Sequence, residues 1–391
     1  MKKLRFALYA LYIITALSAC NKNDSATTPP PPPTTQQDIA VVDSKVQAFM
    51  TANNIPGASI AISKNGKLVY RKGYGVADKS TNEKVTADHR FRLASVSKTY
   101  TGVAIMKLVQ EGKLSLDAKV FGTGAVLGTQ YGAQPYSVNL KNITVKQLLQ
   151  HTSGGWGFNS GGDPIDLYPT YSNAQFLSWV LDNKPVANTP GTRFDYSNMG
   201  YFISGRIIEK ISGKTYVNYI KEDILSGLGA TQTDIAGITL ADIKPNEVKY
   251  FGQGSDAPYV YNIAFNHRDA DGGLIATATD LLRFVLAIDG FSTRADILNS
   301  AGIGALTTPS GLAPLDPNYC LGIGKYNDYW YNYGSLPGTY TGFIRLDNGM
   351  SAVLLLNSRV PNNAQFTYDM QDVMLNTLRD NSINWQNIDQ F

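Results

Sequence analysis

The stretch Phe91-Arg92-Leu93-Ala94-Ser95-Val96-Ser97-Lys98-Thr99-Tyr100-Thr101-Gly102-Val103-Ala104 sets a Ser-x-x-Lys spacing at the head of an apolar stripe. Val96, Tyr100, Val103, Ala104 and Leu108 recur at helical intervals, and Gly112 is placed as a C-terminal stop. Ser95 therefore falls at or just inside a helix start, with Lys98 one turn on. Residues i and i+3 share a face, so an amine at 98 reaches a hydroxyl at 95. The positive end of the helix favours an anion at Ser95, and a desolvated Lys can act as a base. Taken alone, the same residues also read as a capping serine followed by a solvated lysine.

A second pattern, Tyr-x-Asn, occurs at Tyr171, Tyr196 and Tyr216. In an extended segment, residues two apart point the same way, so a phenol and a carboxamide can face one pocket. Tyr216 lies in a helical run, and Asn173 reads as a cap for the helix holding Phe176, Leu177 and Val180. Tyr196-Ser197-Asn198 leads out of a Pro190-Gly191 loop into a helix from Met199 to Ile211 that closes near Gly213. Taken alone, that copy reads equally as a buried tyrosine with a helix-capping asparagine.

Around this middle, Ile39 to Asn53 is a helical stripe. Ala58 to Ser63 and Lys67 to Val76 flank Asn65-Gly66, a hairpin signal. Leu321 to Tyr326, Tyr329 to Tyr333, Thr339 to Leu346 and Met350 to Asn357 read as strands, and Phe366 to Arg379 as a closing helix. From Ser95 to about Leu286 helical patterns dominate. The fold class expected is α+β: one antiparallel sheet built from both ends of the chain, with a mostly helical region of about 100–285 inserted.

Several chemistries lack their markers. There is no G-x-S-x-G elbow, no H-E-x-x-H, no P-loop and no dinucleotide loop after a strand. No metal site and no cofactor are expected. His151 reads as structural, and His89 and His267 have no partner pointing to function. Trp156, Tyr333 and Tyr340 are candidates for lining a cleft, with the core as the alternative.

The five stretches Phe91 to Lys98, Leu148-Leu149-Gln150-His151-Thr152-Ser153-Gly154, Pro190 to Tyr201, Gly272 to Leu281 and Gly334-Ser335-Leu336-Pro337-Gly338 occur in this order. Together they resemble the serine β-lactamase-like family of class C β-lactamases, D-alanyl-D-alanine carboxypeptidases and related esterases. The resemblance implies a helical domain against an antiparallel sheet, with the site between them. It implies Ser95 as nucleophile, Lys98 as base or proton shuttle, and Tyr196 as a base that later protonates the leaving group. Asn198 would bind the substrate amide, and the backbone N–H groups of Ser95 and Ser335 would form the oxyanion hole. The reaction implied is acyl transfer through an acyl-enzyme on a peptidoglycan stem peptide, a β-lactam or a small ester. Asn332, Tyr333, Gly334 and Ser335 would contact substrate. The family usually has His or Lys where Asn332 stands, which implies altered substrate preference and weak β-lactamase activity. A non-catalytic binding protein or sensor on the same fold is the alternative.

The first residues read differently. Lys2, Lys3 and Arg5 precede an apolar run, Phe6 to Ala19, too short to span a bilayer. Residues 1–19 read as a signal peptide, and Leu17-Ser18-Ala19-Cys20 resembles a lipobox, implying lipid on Cys20 and a protein exported to the cell envelope. Residues 20–37, with Pro29 to Pro33, read as a linker reaching roughly 50 Å in polyproline form. A catalytic domain over 38–380 and a tail over 381–391 complete the expected organisation. Lys+Arg number 34 against Asp+Glu 31, a net +3 that Lys2, Lys3 and Arg5 account for entirely. Nothing in the charge therefore points to a nucleic-acid partner. Cys320 is left as a buried free thiol.

Overall fold

The computed structural model describes residues 37–391 except 264 and 313–315. The readings made on residues 1–36, including Cys20, lie outside the described residues. Ten helices are assigned within the described chain: α1 (Ala40–Ala52), α2 (Ser97–Gln110), α3 (Val138–Asn142), α4 (Val145–Leu149), α5 (Asn173–Asn183), α6 (Asn198–Ser212), α7 (Tyr216–Tyr219), α8 (Ala278–Leu286), α9 (Ser300–Leu306) and α10 (Ala364–Leu378). The strands are β1 (Gly57–Lys64), β2 (Lys67–Asp78), β3 (Glu83–Lys84), β4 (Phe91–Arg92), β5 (Asp234–Ile235), β6 (Leu274–Ala276), β7 (Gly324–Tyr326), β8 (Tyr329–Leu336), β9 (Thr339–Leu346) and β10 (Met350–Leu356).

A seven-stranded sheet runs β3-β2-β1-β10-β9-β8-β7. Its centre is the antiparallel pairing of β1 with β10, Ala58 opposite Leu356 through Lys64 opposite Met350. The two ends of the chain thus meet in one sheet, as the strand pattern predicts. The central strands β1, β9 and β10 are buried at nearly every position because both faces are covered. Ile60, Ile62, Leu354 and Ile344 pack under α1 and α10. Ala61, Phe343, Val353 and Leu355 face the opposite way, into the larger core shared with α2, α6 and α8.

The inserted region, expected to be mostly helical, also holds strand. A small sheet in the order β4-β6-β5 crosses it, and β4 pairs with β6 immediately before Ser95. Long loops fill much of 111–172. Short apolar runs flanked by Gly and Pro carry no clear period, which is why these two- and three-residue strands escape sequence patterning. The expected C-terminal tail packs back on the domain. Gln390 N donates to Leu68 O, and Phe391 lies under the guanidinium groups of Arg283 and Arg294.

The hairpin β1–β2 turns as expected, with Asn65 and Gly66 both at positive φ, 50° and 76°. A Cβ at Gly66 would stand 2.8 Å from Thr293 Cβ, so the position combines a left-handed backbone with a close approach. Gly66→Ala is expected to cost about 1–2 kcal/mol, read from the urea-unfolding midpoint. An unchanged midpoint would contradict the packing described.

Candidate active site

The backbone enters the Ser95 turn under restraint. Arg92 N donates to Tyr250 OH, and the buried Arg92 guanidinium donates to Val260 O and lies over the Tyr250 ring. Thr341 Oγ1 donates to Leu93 O, and Thr339 Oγ1 to Arg92 O, tying the turn to β9. Ala94 is fully buried and holds φ at 47°, a left-handed conformation that costs an alanine about 1–2 kcal/mol. A 3-10 turn, Ala94–Val96, then runs into α2. From Phe91 to Tyr100 every residue is buried except Ser95, which lines an open cleft of about 530 Å³.

Lys98 is fully buried, and each of its three donors has an acceptor. Nζ donates to Ser95 Oγ at 3.1 Å, to Asn198 Oδ1 at 2.7 Å and to Asp271 O at 2.7 Å. Three separate segments therefore converge on one ammonium. The Asp271 carboxylate lies 3.9 Å away and pairs more closely with Arg268, at 2.8 Å.

Tyr196 is half-buried and lines the cleft, with its ring centroid 5.0 Å from Lys98 Nζ. Its ring stacks on His151 at 4.1 Å. His151 is fully enclosed, and its Nδ1 accepts from Ser197 N at 3.0 Å. Burial first, and the nearby Lys98 charge second, hold His151 well below the usual histidine range. It is a neutral platform under Tyr196, in keeping with a structural role. Ser197, not Asn198, caps α6, its side chain accepting from Gly200 N. The carboxamide of Asn198 is thereby released from capping, and it meets Lys98 at the cleft wall.

The opposite wall is the outer edge of β8. Gly334 lies so close to the Ser95 turn that a Cβ would stand 2.1 Å from Leu93 O and 2.9 Å from Ser95 N. Only glycine permits that approach. Tyr333, Ser335 and Tyr340 line the cleft, and Ser335 Oγ accepts from Arg359 Nη1 at 2.7 Å. Asn332 corrects the reading that it contacts substrate. It is buried, and its Nδ2 shares two hydrogens among Thr99 Oγ1, Gly322 O and Ser95 O, at 2.9, 3.0 and 3.2 Å. It fastens β8 to the start of α2. Alternation along β8 alone does not show that the amide turns inward.

Of the two readings open for Trp156, the core one applies: it is buried and donates Nε1 to Lys184 O. His89 is bound to Thr86 and Glu83, and His267 to Asn173 and Tyr168. Asn173 is the first residue of α5, capped by Ser172. Cys320 is buried and free, its thiol pushed up to about 12 by burial. Among the described residues no cluster of His, Cys, Asp or Glu could hold a metal ion.

The cleft residues that sequence reasoning missed include the apolar Phe158 and Ile165 and a charged group. In that group, Asp163, Asp166 and Asp271 line the cleft together with Arg268. Asp271 directly precedes the Gly272-Gly273 pair of a quoted stretch, a signal that was present. Asp163 sits in a glycine-rich loop with no pattern to mark it.

The comparisons with known proteins bear on this geometry. The family model described as Beta-lactamase matches residues 42–372. The chain belongs to the Beta-lactamase family. It is 32% identical to "Protein flp" of Staphylococcus aureus over 239 residues, 61% of this chain and 46% of that protein. The chain thus spans about half the length of the curated relatives it matches first. It is 26% identical to "Penicillin-binding protein 4" of Amycolatopsis lactamdurans over 314 residues, covering 77% and 78% of the two chains. Among solved structures, the octameric penicillin-binding protein homologue from Pyrococcus abyssi is similar at TM-score 0.66 and 26% identity, over 82% of this chain and 74% of that one.

Burial raises Asp163 from 3.8 to about 7, against the backbone N–H of Asn198. Between those values the native state holds a proton that the unfolded chain releases. The contribution of Asp163 to stability therefore falls as pH rises through this window. Asp163→Asn removes the titration. Its melting midpoint minus that of wild type is expected to be more positive near pH 8.5 than near pH 5, by calorimetry. The opposite trend, or a difference independent of pH, would show that Asp163 is not so raised.

Proposed function

We propose that this protein is a serine hydrolase that cleaves amide or ester bonds through an acyl-enzyme on Ser95. The observation that carries the reading is the buried Lys98 ammonium donating to the one cleft-facing hydroxyl of its turn. Ser95 Oγ attacks the substrate carbonyl carbon, and the C–N or C–O bond to the leaving group breaks. The hydroxyl proton passes to Tyr196 Oη as Tyr196 hands its own phenolic proton to the leaving group, so the phenol ends neutral, and Lys98 nearby stabilises negative charge on the oxygens during the transfer. Water then attacks the ester, with Tyr196 relaying its proton to Ser95 Oγ, and releases Ser95. The N–H groups of Ser95 and Ser335 receive the carbonyl oxygen, and the Gly334 approach sets the distance between the two segments. Asn198, bound to Lys98 through Oδ1, offers Nδ2 to the substrate.

The substrates considered are those of penicillin-recognising carboxypeptidases and related esterases. The family match and the relative named as penicillin-binding support that range. Export and anchoring through Cys20 are part of the proposal and rest on the sequence of residues 1–37. A non-catalytic sensor on this fold is favoured only by Asn332, whose inward role does not require loss of chemistry.

The test is covalent labelling. Incubation with a neutral fluorophosphonate, followed by mass spectrometry, is expected to give one adduct on the peptide containing Ser95, and none in Ser95→Ala. Equal labelling of both proteins would refute the assignment.

A further inference from the structure

The loop that carries Asp163 binds both sides of the Lys98 site. Phe158 N donates to Tyr196 O at 3.1 Å, and Asn159 N donates to Asp195 Oδ1 at 2.9 Å. A Cβ at Gly157 would stand 2.2 Å from Asp195 Cγ, so the loop lies directly on the segment that holds Tyr196 and Asn198. Farther along, Asp166 accepts from Arg268 Nε and Nη2 at 2.9 and 2.6 Å, and Arg268 Nη1 donates to Asp271 Oδ2 at 2.8 Å. The stretch from Gly157 to Asp166 therefore bridges the Asn198 and Asp271 segments. Each of those segments gives Lys98 one acceptor.

Asp163 is the joint of this bridge. Its Oδ1 accepts from Ile165 N at 3.1 Å, which fixes the carboxylate within its own loop. Its Oδ2 accepts from Asn198 N, and from Met199 N at 3.4 Å. These are the first two N–H groups of α6, and such groups have no partner inside a helix. Ser197 Oγ takes Gly200 N, so the helix start has one cap from its own segment and one from a loop 35 residues earlier. The positive end of the helix favours a carboxylate in that place. Asn198 is thus held at its backbone by Asp163 and at its side chain by Lys98. A shift of the α6 start would lengthen the 2.7 Å bond from Lys98 Nζ to Asn198 Oδ1 and leave a donor of a buried ammonium unmet.

Building on the acyl-transfer reading, we propose that Asp163 is a positioning residue: it fixes the start of α6 so that Asn198 keeps Lys98 aimed at Ser95. In this role it touches none of the reacting atoms and acts only through Asn198.

A double-mutant cycle tests that route. The readout is the second-order rate of Ser95 modification by a neutral fluorophosphonate, with near-ultraviolet circular dichroism to show that each variant is folded. The reagent has no amide for Asn198 to bind, so Asn198 affects its rate through Lys98. Asp163→Ala and Asn198→Ala are each expected to slow labelling about tenfold, and Asp163→Ala to add less than about twofold once Asn198 is alanine. Asp163→Asn keeps one acceptor oxygen and is expected to recover part of the rate; it replaces Asp163→Ala in the cycle if that variant does not fold. Effects that multiply overturn the proposal, the outcome if Asp163 only shapes the cleft wall. So does a folded Asp163→Ala protein labelled at the wild-type rate. Both results leave acyl transfer on Ser95 standing, whereas a wild-type protein that is not labelled at Ser95 removes the acyl-transfer reading and this inference with it.

Discussion

Lys98 holds this site together. Its ammonium is fully buried, so its desolvation must be offset by good partners. Those partners come from the Ser95 turn, the first residue of α6 and the segment before β6. Leaving any one of them out exposes a buried charge to an unmet donor. The charge therefore dictates how closely α2, α6 and the 268–272 segment approach, and that approach shapes the cleft. The strained Ala94, the threonines of β9 and the inward Asn332 act on the same turn from other directions.

How much of this was legible in the sequence depends on the range of the interaction. The apolar-rich runs of β1, β9 and β10 and the Asn65-Gly66 turn are local, and they place the sheet and its two-ended origin. The stripe from Val96 to Leu108 places Ser95 and Lys98 correctly on one face. The direction in which Asn332 points depends instead on contacts with Ser95, Thr99 and Gly322, remote in the chain. The small sheet β4-β6-β5 is likewise made of pairings far apart in sequence. Asp163 joins the site because its loop closes on the start of α6, a tertiary event with no local signature.

Asn332 holds the Ser95 turn, α2 and the segment before β7 to one strand, through contacts of its amide with Ser95 O, Thr99 Oγ1 and Gly322 O. It does so without adding charge and without lining the cleft itself. His151 shows a similar economy on the other wall, where a neutral ring supports Tyr196 without adding charge beside Lys98.

Under the proposed acyl transfer, Lys98 both positions and activates Ser95. The most direct measurement is the second-order rate of Ser95 modification by a neutral fluorophosphonate in wild type and Lys98→Ala, with near-ultraviolet circular dichroism as a check that the variant is folded. A fall of about 100-fold or more in a folded variant is expected. A folded Lys98→Ala protein that is modified at the wild-type rate would contradict it.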